Sequence, residues 1–134
     1  MKKLAIFFFV PLLLAGCSSN EKEIEIFDVL DDAEKREEVR EIIENKNEIY
    51  SGTAIFVDDK LLLAVQAKPW LDFQKEKIEE DLQKQLEKKY PDLNVLVSAD
   101  FKLYWEANKI VNEQDAQKVN AHVEKLTSLV KEET

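Results

Sequence analysis

The spacing of hydrophobic and polar residues divides the chain into alternating helical and strand-like segments. Apolar residues fall on one side of a helix over about 31–46, and Asp31 or Asp32 is available as its N-cap. A second apolar stripe, with a repeat of four residues, predicts an amphipathic helix over roughly 70–89. The proline at position 91 ends this second helix, because the residue before a proline disfavours helical geometry.

Strand-like segments lie between these helices. Runs of β-branched and aromatic residues at 50–57 and 60–67 flank Asp58–Asp59, which predicts a β-hairpin. Both runs are almost continuously apolar, so parts of both sheet faces are expected to be covered. A third strand is predicted over 93–98, where alternate residues are apolar.

The segment from 101 to the end has neither Gly nor Pro and predicts helical structure with a break near 112–114. Its apolar residues repeat at spacings of three and four, at Ala116, Val119, Val123, Leu126 and Val130. This spacing suits packing on the domain's own sheet and pairing with another helix equally well. Val123 and Leu126 are therefore candidates both for core residues and for a partner-binding surface.

Taken together, the pattern predicts one α+β domain over 31–134 with the order helix, strand, strand, helix, strand, helix. We expect a small three-stranded sheet that contains a β-hairpin and packs against two or three helices, the last of them long. The polar residues at 17–30 are interpreted as a tether that precedes this domain.

The N-terminus has the layout of a secretory signal. A short positive region precedes the apolar stretch from Leu4 to Leu14, and the 13 residues from Leu4 to Gly16 reach roughly 20 Å as a helix, too short for a bilayer core of about 30 Å. Residues 14–17, Leu-Ala-Gly-Cys, resemble the lipobox of bacterial lipoproteins. The resemblance implies removal of 1–16, a diacylglycerol on Cys17 and, in some lipoproteins, a further N-acyl chain.

Composition limits the function of the mature chain. The 134 residues include 19 basic and 28 acidic side chains, for a net charge of −9, and loss of the first 16 residues leaves a net charge of −11. This balance excludes a nucleic-acid-binding surface of the usual kind and a polybasic contact with anionic lipids. Acyl chains would therefore have to hold the protein at the membrane. A single cysteine excludes a disulfide framework and a Cys-rich zinc module.

Candidate catalytic chemistry is sparse. His122 is the only histidine and has no Ser, Cys or metal-binding partner in its pattern, and an acylated Cys17 is not a nucleophile. The acidic pairs lack the alternating oxygen ligands and central glycine of a calcium loop. We predict no catalytic residues, no metal site and no cofactor other than the covalent lipid.

Aromatic residues lie at the starts of two predicted helices, with Trp70 and Phe73 in one and Phe101, Tyr104 and Trp105 in the other. Their ordinary role is to fill the core where helices meet a sheet. If Trp70 and Trp105 are instead exposed on one side, they mark a docking surface.

The lipobox, the strand that carries Leu63–Ala64–Val65 into an amphipathic helix, and the segment Asn94–Asp100 together resemble the sporulation lipoprotein family (YhcN/YlaJ type) of endospore-forming Firmicutes. The resemblance covers roughly 35–112 and the signal. The longer charged C-terminal helix and the absence of an Asp/Asn-Pro step after the third strand depart from that pattern. The family implies a protein of the forespore or spore membrane with a role in spore formation or germination, and it supplies no catalytic residues.

We therefore expect a lipid-anchored protein on the extracytoplasmic face of a Gram-positive cell membrane, with a structural or protein-interaction role and an unidentified protein partner. The alternative is an envelope module that binds a small ligand or a cell-wall component. A pocket beside Trp70 or Trp105 would favour that alternative.

Overall fold

The computed structural model describes residues 22–29, 31–113 and 115–133. Cys17 and the predicted signal peptide lie outside these residues. The elements in chain order are β1 (Glu23–Asp28), α1 (Ala33–Glu44), β2 (Ile49–Val57), β3 (Lys60–Ala67), a 3₁₀ segment (Pro69–Gln74), α2 (Lys75–Lys89), β4 (Asn94–Ser98), α3 (Phe101–Ile110) and α4 (Ala116–Glu133). The predicted α+β class is confirmed.

The sheet has four strands in the order β1-β2-β3-β4, not the three predicted. β1 pairs parallel with β2, β2 pairs antiparallel with β3 in the predicted hairpin, and β4 pairs parallel with β3. The additional strand, β1, lies in the stretch 17–30 that was interpreted as a tether. Its alternating Glu and Ile residues place Ile24 and Ile26 against the core, and parallel pairing with β2 holds it at the sheet edge.

Each face of the sheet carries a hydrophobic core. The first core lies under α1 and α2, where Val39, Ile43, Ile78, Leu82 and Leu86 cover the strands. The second lies under α3 and α4, and its helical residues are Leu103, Tyr104, Ala107, Ile110, Val119, Val123 and Leu126. The almost continuous apolar character of β2 and β3 follows from this, because both of their faces are buried.

One helix differs from the prediction at its start. The helix expected over 70–89 begins only at Lys75, because Leu71 departs from helical dihedrals and the preceding turns are 3₁₀. Phe73, in this 3₁₀ segment, is exposed and does not fill the core as aromatic residues at a helix start ordinarily do. The break expected near 112–114 separates α3 from α4.

Two aspartates fix the starts of helices. Asp32, one of the two predicted caps of α1, accepts hydrogen bonds from the backbone N–H groups of Glu34 and Lys35. Asp100 caps α3 in the same way through Lys102 and Leu103. Both satisfy N–H groups that a helix leaves without internal partners.

α1 and α2 are joined by a polar contact above the first core. The Tyr90 hydroxyl donates to Glu38 Oε1 at 2.8 Å, and Lys89 Nζ lies 3.2 Å from Glu38 Oε2. The hydrogen bond from Tyr90 lowers the pKa of Glu38, and burial together with Glu38 raises the pKa of Tyr90. The phenol thus keeps its proton and the carboxylate stays charged around neutral pH, so this contact persists there.

The hairpin turn offers a matched pair of stability predictions. Asp58 has a φ of 51°, a left-handed conformation that costs a non-glycine residue energy. Asp59 instead accepts a hydrogen bond from Asn94 Nδ2 at 3.1 Å and lies 3.4 Å from Lys60 Nζ. We expect Asp58→Gly to raise the free energy of unfolding by a few tenths to about 1 kcal/mol. Asp59→Gly should lower it by about 1 kcal/mol. Urea denaturation of both variants measures the difference, and equal effects would contradict this account of the turn.

Candidate functional site

The exposed aromatic residues are brought to one end of the sheet by its topology. β3 and β4 are parallel, so their carboxyl ends lie at the same end. The 3₁₀ segment begins two residues after β3, and α3 begins three residues after β4. Both aromatic segments predicted from the sequence therefore start at this end.

Four aromatic side chains in these segments are largely exposed: Trp70 at 70%, Phe73 at 81%, Phe101 at 63% and Trp105 at 56%. Tyr50, at the start of β2, is also exposed, and it lies at the same end because β2 begins where β3 finishes. We call these five residues the aromatic end. In the part of the chain with described side chains, one other large hydrophobic residue is exposed, Leu129 on α4.

The local geometry holds two of these rings in contact. Phe101 and Trp105 are one helical turn apart on α3, and their rings stack with centroids 6.5 Å apart and planes 25° apart. On the 3₁₀ segment, Lys68 Nζ lies 5.9 Å from the ring centroid of Trp70, within the range of a cation–π contact. Apolar rings and lysine side chains thus share this end of the domain.

The chain also enters the domain at the aromatic end. β1 runs parallel to β2, and Glu23 pairs with Ser51, next to Tyr50. The preceding residue, Lys22, donates through Nζ to the backbone carbonyl oxygens of Ile43, Glu44 and Lys46 at 2.9, 3.0 and 2.6 Å. Partial burial, followed by the charge of Lys68, lowers the pKa of Lys22. Lys22 therefore ties the beginning of the domain to the carboxyl end of α1.

The opposite end of the sheet is acidic. The exposed carboxylates of Asp31, Asp58, Asp59 and Asp92 follow or precede strands at the end away from the aromatic residues, and we call them the acidic end. The backbone N–H of Asn94, where β4 begins, donates to the carbonyl of Asp59 at 2.7 Å, which places these loops side by side. One end of the strands thus carries exposed aromatic rings, and the other carries exposed aspartates, of which Asp31 and Asp59 lie 2.7 and 3.4 Å from Arg36 and Lys60.

A groove of about 420 Å³ runs between α3 and α4. Ile110 and Leu126 lie at its apolar base, and its charged and polar lining residues are Lys102, Glu106, Lys109, His122 and Lys125. Lys109 is paired with Glu106 at 3.2 Å. Lys102, Lys109, His122 and Lys125 are all solvent-exposed, so the groove is an open surface feature with a cationic rim.

The structure separates the residues that the sequence singled out. Trp70 and Trp105 are exposed at the same end, as a docking surface requires. Val123 and Leu126 are buried in the second core, so their assignment to a partner-binding surface is wrong. The heptad-like spacing of α4 serves packing on its own sheet. Sequence reasoning missed Tyr50, which looked like an ordinary strand residue.

Metal-binding groups and membrane-spanning helices are two further features that residue type and hydropathy can reveal. Within 22–29, 31–113 and 115–133 no three His, Cys, Asp or Glu side chains are grouped so as to hold a metal ion. None of the helices in those ranges is long and apolar enough to cross a membrane.

The fold and the aromatic end together define a three-layer α+β domain, helices on both faces of a mixed sheet, with an exposed apolar end. No protein-family model, curated protein or solved structure matches this chain.

Proposed function

We propose that this chain is a lipid-anchored protein of the cell envelope with a structural or protein-interaction role. The observation that carries the proposal is the position of Cys17, at the end of a lipobox-like sequence and five residues before Lys22, where the described part of the domain begins. At most about 3.6 Å per residue separates them, so acyl chains on Cys17 would hold the domain within about 18 Å of the bilayer.

The buried polar side chains of the domain support a structural or binding role and not a catalytic one. Among the described residues, the buried polar side chains are Ser51, Thr53 and Ser98, which are small and lie in the sheet strands. Ser51 donates to Gln66 Oε1 at 2.8 Å, and Thr53 donates to Asn108 Oδ1. These polar groups are satisfied by neighbours, so they stabilise the core and are poor candidates for reacting groups.

The resemblance to sporulation lipoproteins adds a proposed setting, the forespore or spore membrane, with a role in spore formation or germination. The alternative role, a module that binds a small ligand or a cell-wall component, would use the groove between α3 and α4. It ranks second because that groove is open and its cationic side chains are exposed to solvent.

The anchor is tested by replacing Cys17. We expect the unaltered chain to fractionate with membranes, to partition into detergent and to gain mass from acyl chains. Cys17→Ser removes the thiol that would carry the lipid and should shift nearly all of the protein out of the mature membrane-bound form, because the two acyl chains of the diacylglycerol supply the attachment.

Ser18→Ala is the matched control, since it changes the neighbouring side chain and leaves the thiol. A Cys17→Ser protein that is processed and membrane-attached like the unaltered chain would contradict the lipid anchor. Following the protein through growth and sporulation in the same fractions tests the setting, and steady presence in vegetative membranes would contradict a role confined to sporulation.

A further inference from the structure

Five of the six exposed large hydrophobic side chains in the described part of the chain lie at the aromatic end. Aromatic residues bury a large area each when covered, and a soluble surface seldom gathers them at one place without something to cover them. A molecule or surface that covers these side chains must contact residues from three separate segments: β2, the 3₁₀ segment and α3. A broad surface fits this arrangement better than a single peptide groove.

The chain outside the described residues leads to this same end. Residues 1–21 precede Lys22, and Lys22 and Glu23 lie beside the start of β2. Any lipid on Cys17 would thus emerge next to Tyr50 and the end of β3, within about 18 Å. The apolar end and the attachment point would face the same bilayer.

Lysine side chains lie beside the aromatic rings, together with the carboxylates of Asp72 and Asp100. Lys68 lies over Trp70, Lys75 is paired with Asp72 at 3.2 Å, and Lys102 is exposed beside Phe101. Aromatic residues with neighbouring lysines are typical of the boundary between headgroups and acyl chains. At the acidic end, by contrast, the exposed carboxylates of Asp58 and Asp92 favour water over the headgroup region.

Resting on the proposed lipid anchor, we propose that the aromatic end is a membrane-contacting surface. Trp70 and Trp105 lie in the headgroup region of the bilayer to which Cys17 is attached, and the acidic end points away from it. The acyl chains supply attachment and the aromatic end sets the orientation of the domain.

Trp70 and Trp105 are the only two tryptophans, so the protein carries its own probes. The lipidated full chain, extracted in detergent, is reconstituted into vesicles of phosphatidylglycerol and phosphatidylethanolamine, with or without bromine near the headgroup end of the acyl chains. Trp70→Phe and Trp105→Phe leave one native probe each. We expect the emission of each remaining tryptophan to fall about twofold in brominated vesicles and to shift to shorter wavelength.

A reporter at the acidic end is the matched control. In Trp70→Phe/Trp105→Phe/Asp92→Trp the only tryptophan lies in the exposed loop before β4. The emission of this tryptophan should be almost the same in brominated and ordinary vesicles, because the length of the domain lies between position 92 and the lipid. Quenching of this reporter as strong as that of the native tryptophans would overturn the proposed orientation.

Co-sedimentation with vesicles separates failure of the anchor from failure of the orientation. Protein that co-sediments while both native tryptophans stay unquenched overturns the membrane-contacting surface and leaves the anchor intact. If brominated lipid does not quench the tryptophans and acrylamide, a quencher dissolved in water, does not quench them either, a protein partner or a second copy covers the aromatic end. That result would also overturn the membrane-contacting surface. Protein that fails to co-sediment overturns the anchor and the orientation together.

Discussion

Leu126→Asp is expected to abolish folding of the domain. Leu126 is 5% exposed and packs in the second core between α4 and the sheet. Removing a buried leucine costs about 2–5 kcal/mol, and the new carboxylate must either be buried without a partner or force α4 off the sheet. Against a typical total stability of about 5–15 kcal/mol, this loss is large. Loss of the cooperative thermal transition in circular dichroism measures it.

Leu129→Asp is the matched control for that variant. Leu129 lies three residues further along α4 and is 41% exposed, so the same change of side chain should alter the free energy of unfolding by less than about 1 kcal/mol. A folded Leu126→Asp protein with an unchanged transition would show that α4 is not part of the core.

Gly52→Leu is expected to force α1 away from the sheet. A Cβ atom at Gly52 would lie 3.3 Å from Ile43 Cδ1, 3.4 Å from Ile43 Cγ2 and 3.5 Å from Val65 Cγ1, before the rest of a leucine is added. Both neighbours, Ile43 and Val65, are fully buried. Overpacking of this kind costs about 1–3 kcal/mol, and urea denaturation would show it as a lower midpoint. The backbone of Gly52 has a negative φ, so the effect is steric.

Ile43→Ala supplies the internal test of that prediction. Alone, it leaves a cavity above Gly52 and should cost about 2–5 kcal/mol. Combined with Gly52→Leu, the new side chain occupies the space that Ile43 leaves, so the double variant should be more stable than the sum of the single changes by about 0.5–3 kcal/mol. Strict additivity would contradict the close approach of α1 to β2 at this glycine.

Local signals in the sequence were sufficient for most of the fold. The hairpin around Asp58–Asp59, the cap at Asp32 and the break between α3 and α4 each depend on residues within a few positions. β1 was missed although Ile24 and Ile26 alternate with acidic residues at the period of a half-buried strand, because the polar residues before it favoured a tether. Parallel pairing across a helix leaves no short-range signal.

Only part of the candidate site could be predicted from the sequence. Spacing of three and four residues is the same for a helix that packs on its own sheet and for one that pairs with a partner, so Val123 and Leu126 could not be assigned. The sequence predicted a docking surface at Trp70 and Trp105 only if both were exposed. Their exposure depends on the 3₁₀ turn after β3 and on the angle at which α3 leaves β4. Tertiary structure determines both.

The placement of α1 and α2 on one face of the sheet has a consequence for handedness. The unit β1-α1-β2 and the unit β3-α2-β4 both step the same way across the sheet, but their strands run in opposite directions. With both helices on the same side, the two crossovers must have opposite screw sense, and one of them is the left-handed form found in about 2% of such connections. Because no rotation changes the hand of an object, these two units cannot be superposed. The domain is therefore not a tandem repeat of one strand–helix–strand structure, despite the matching order of its elements.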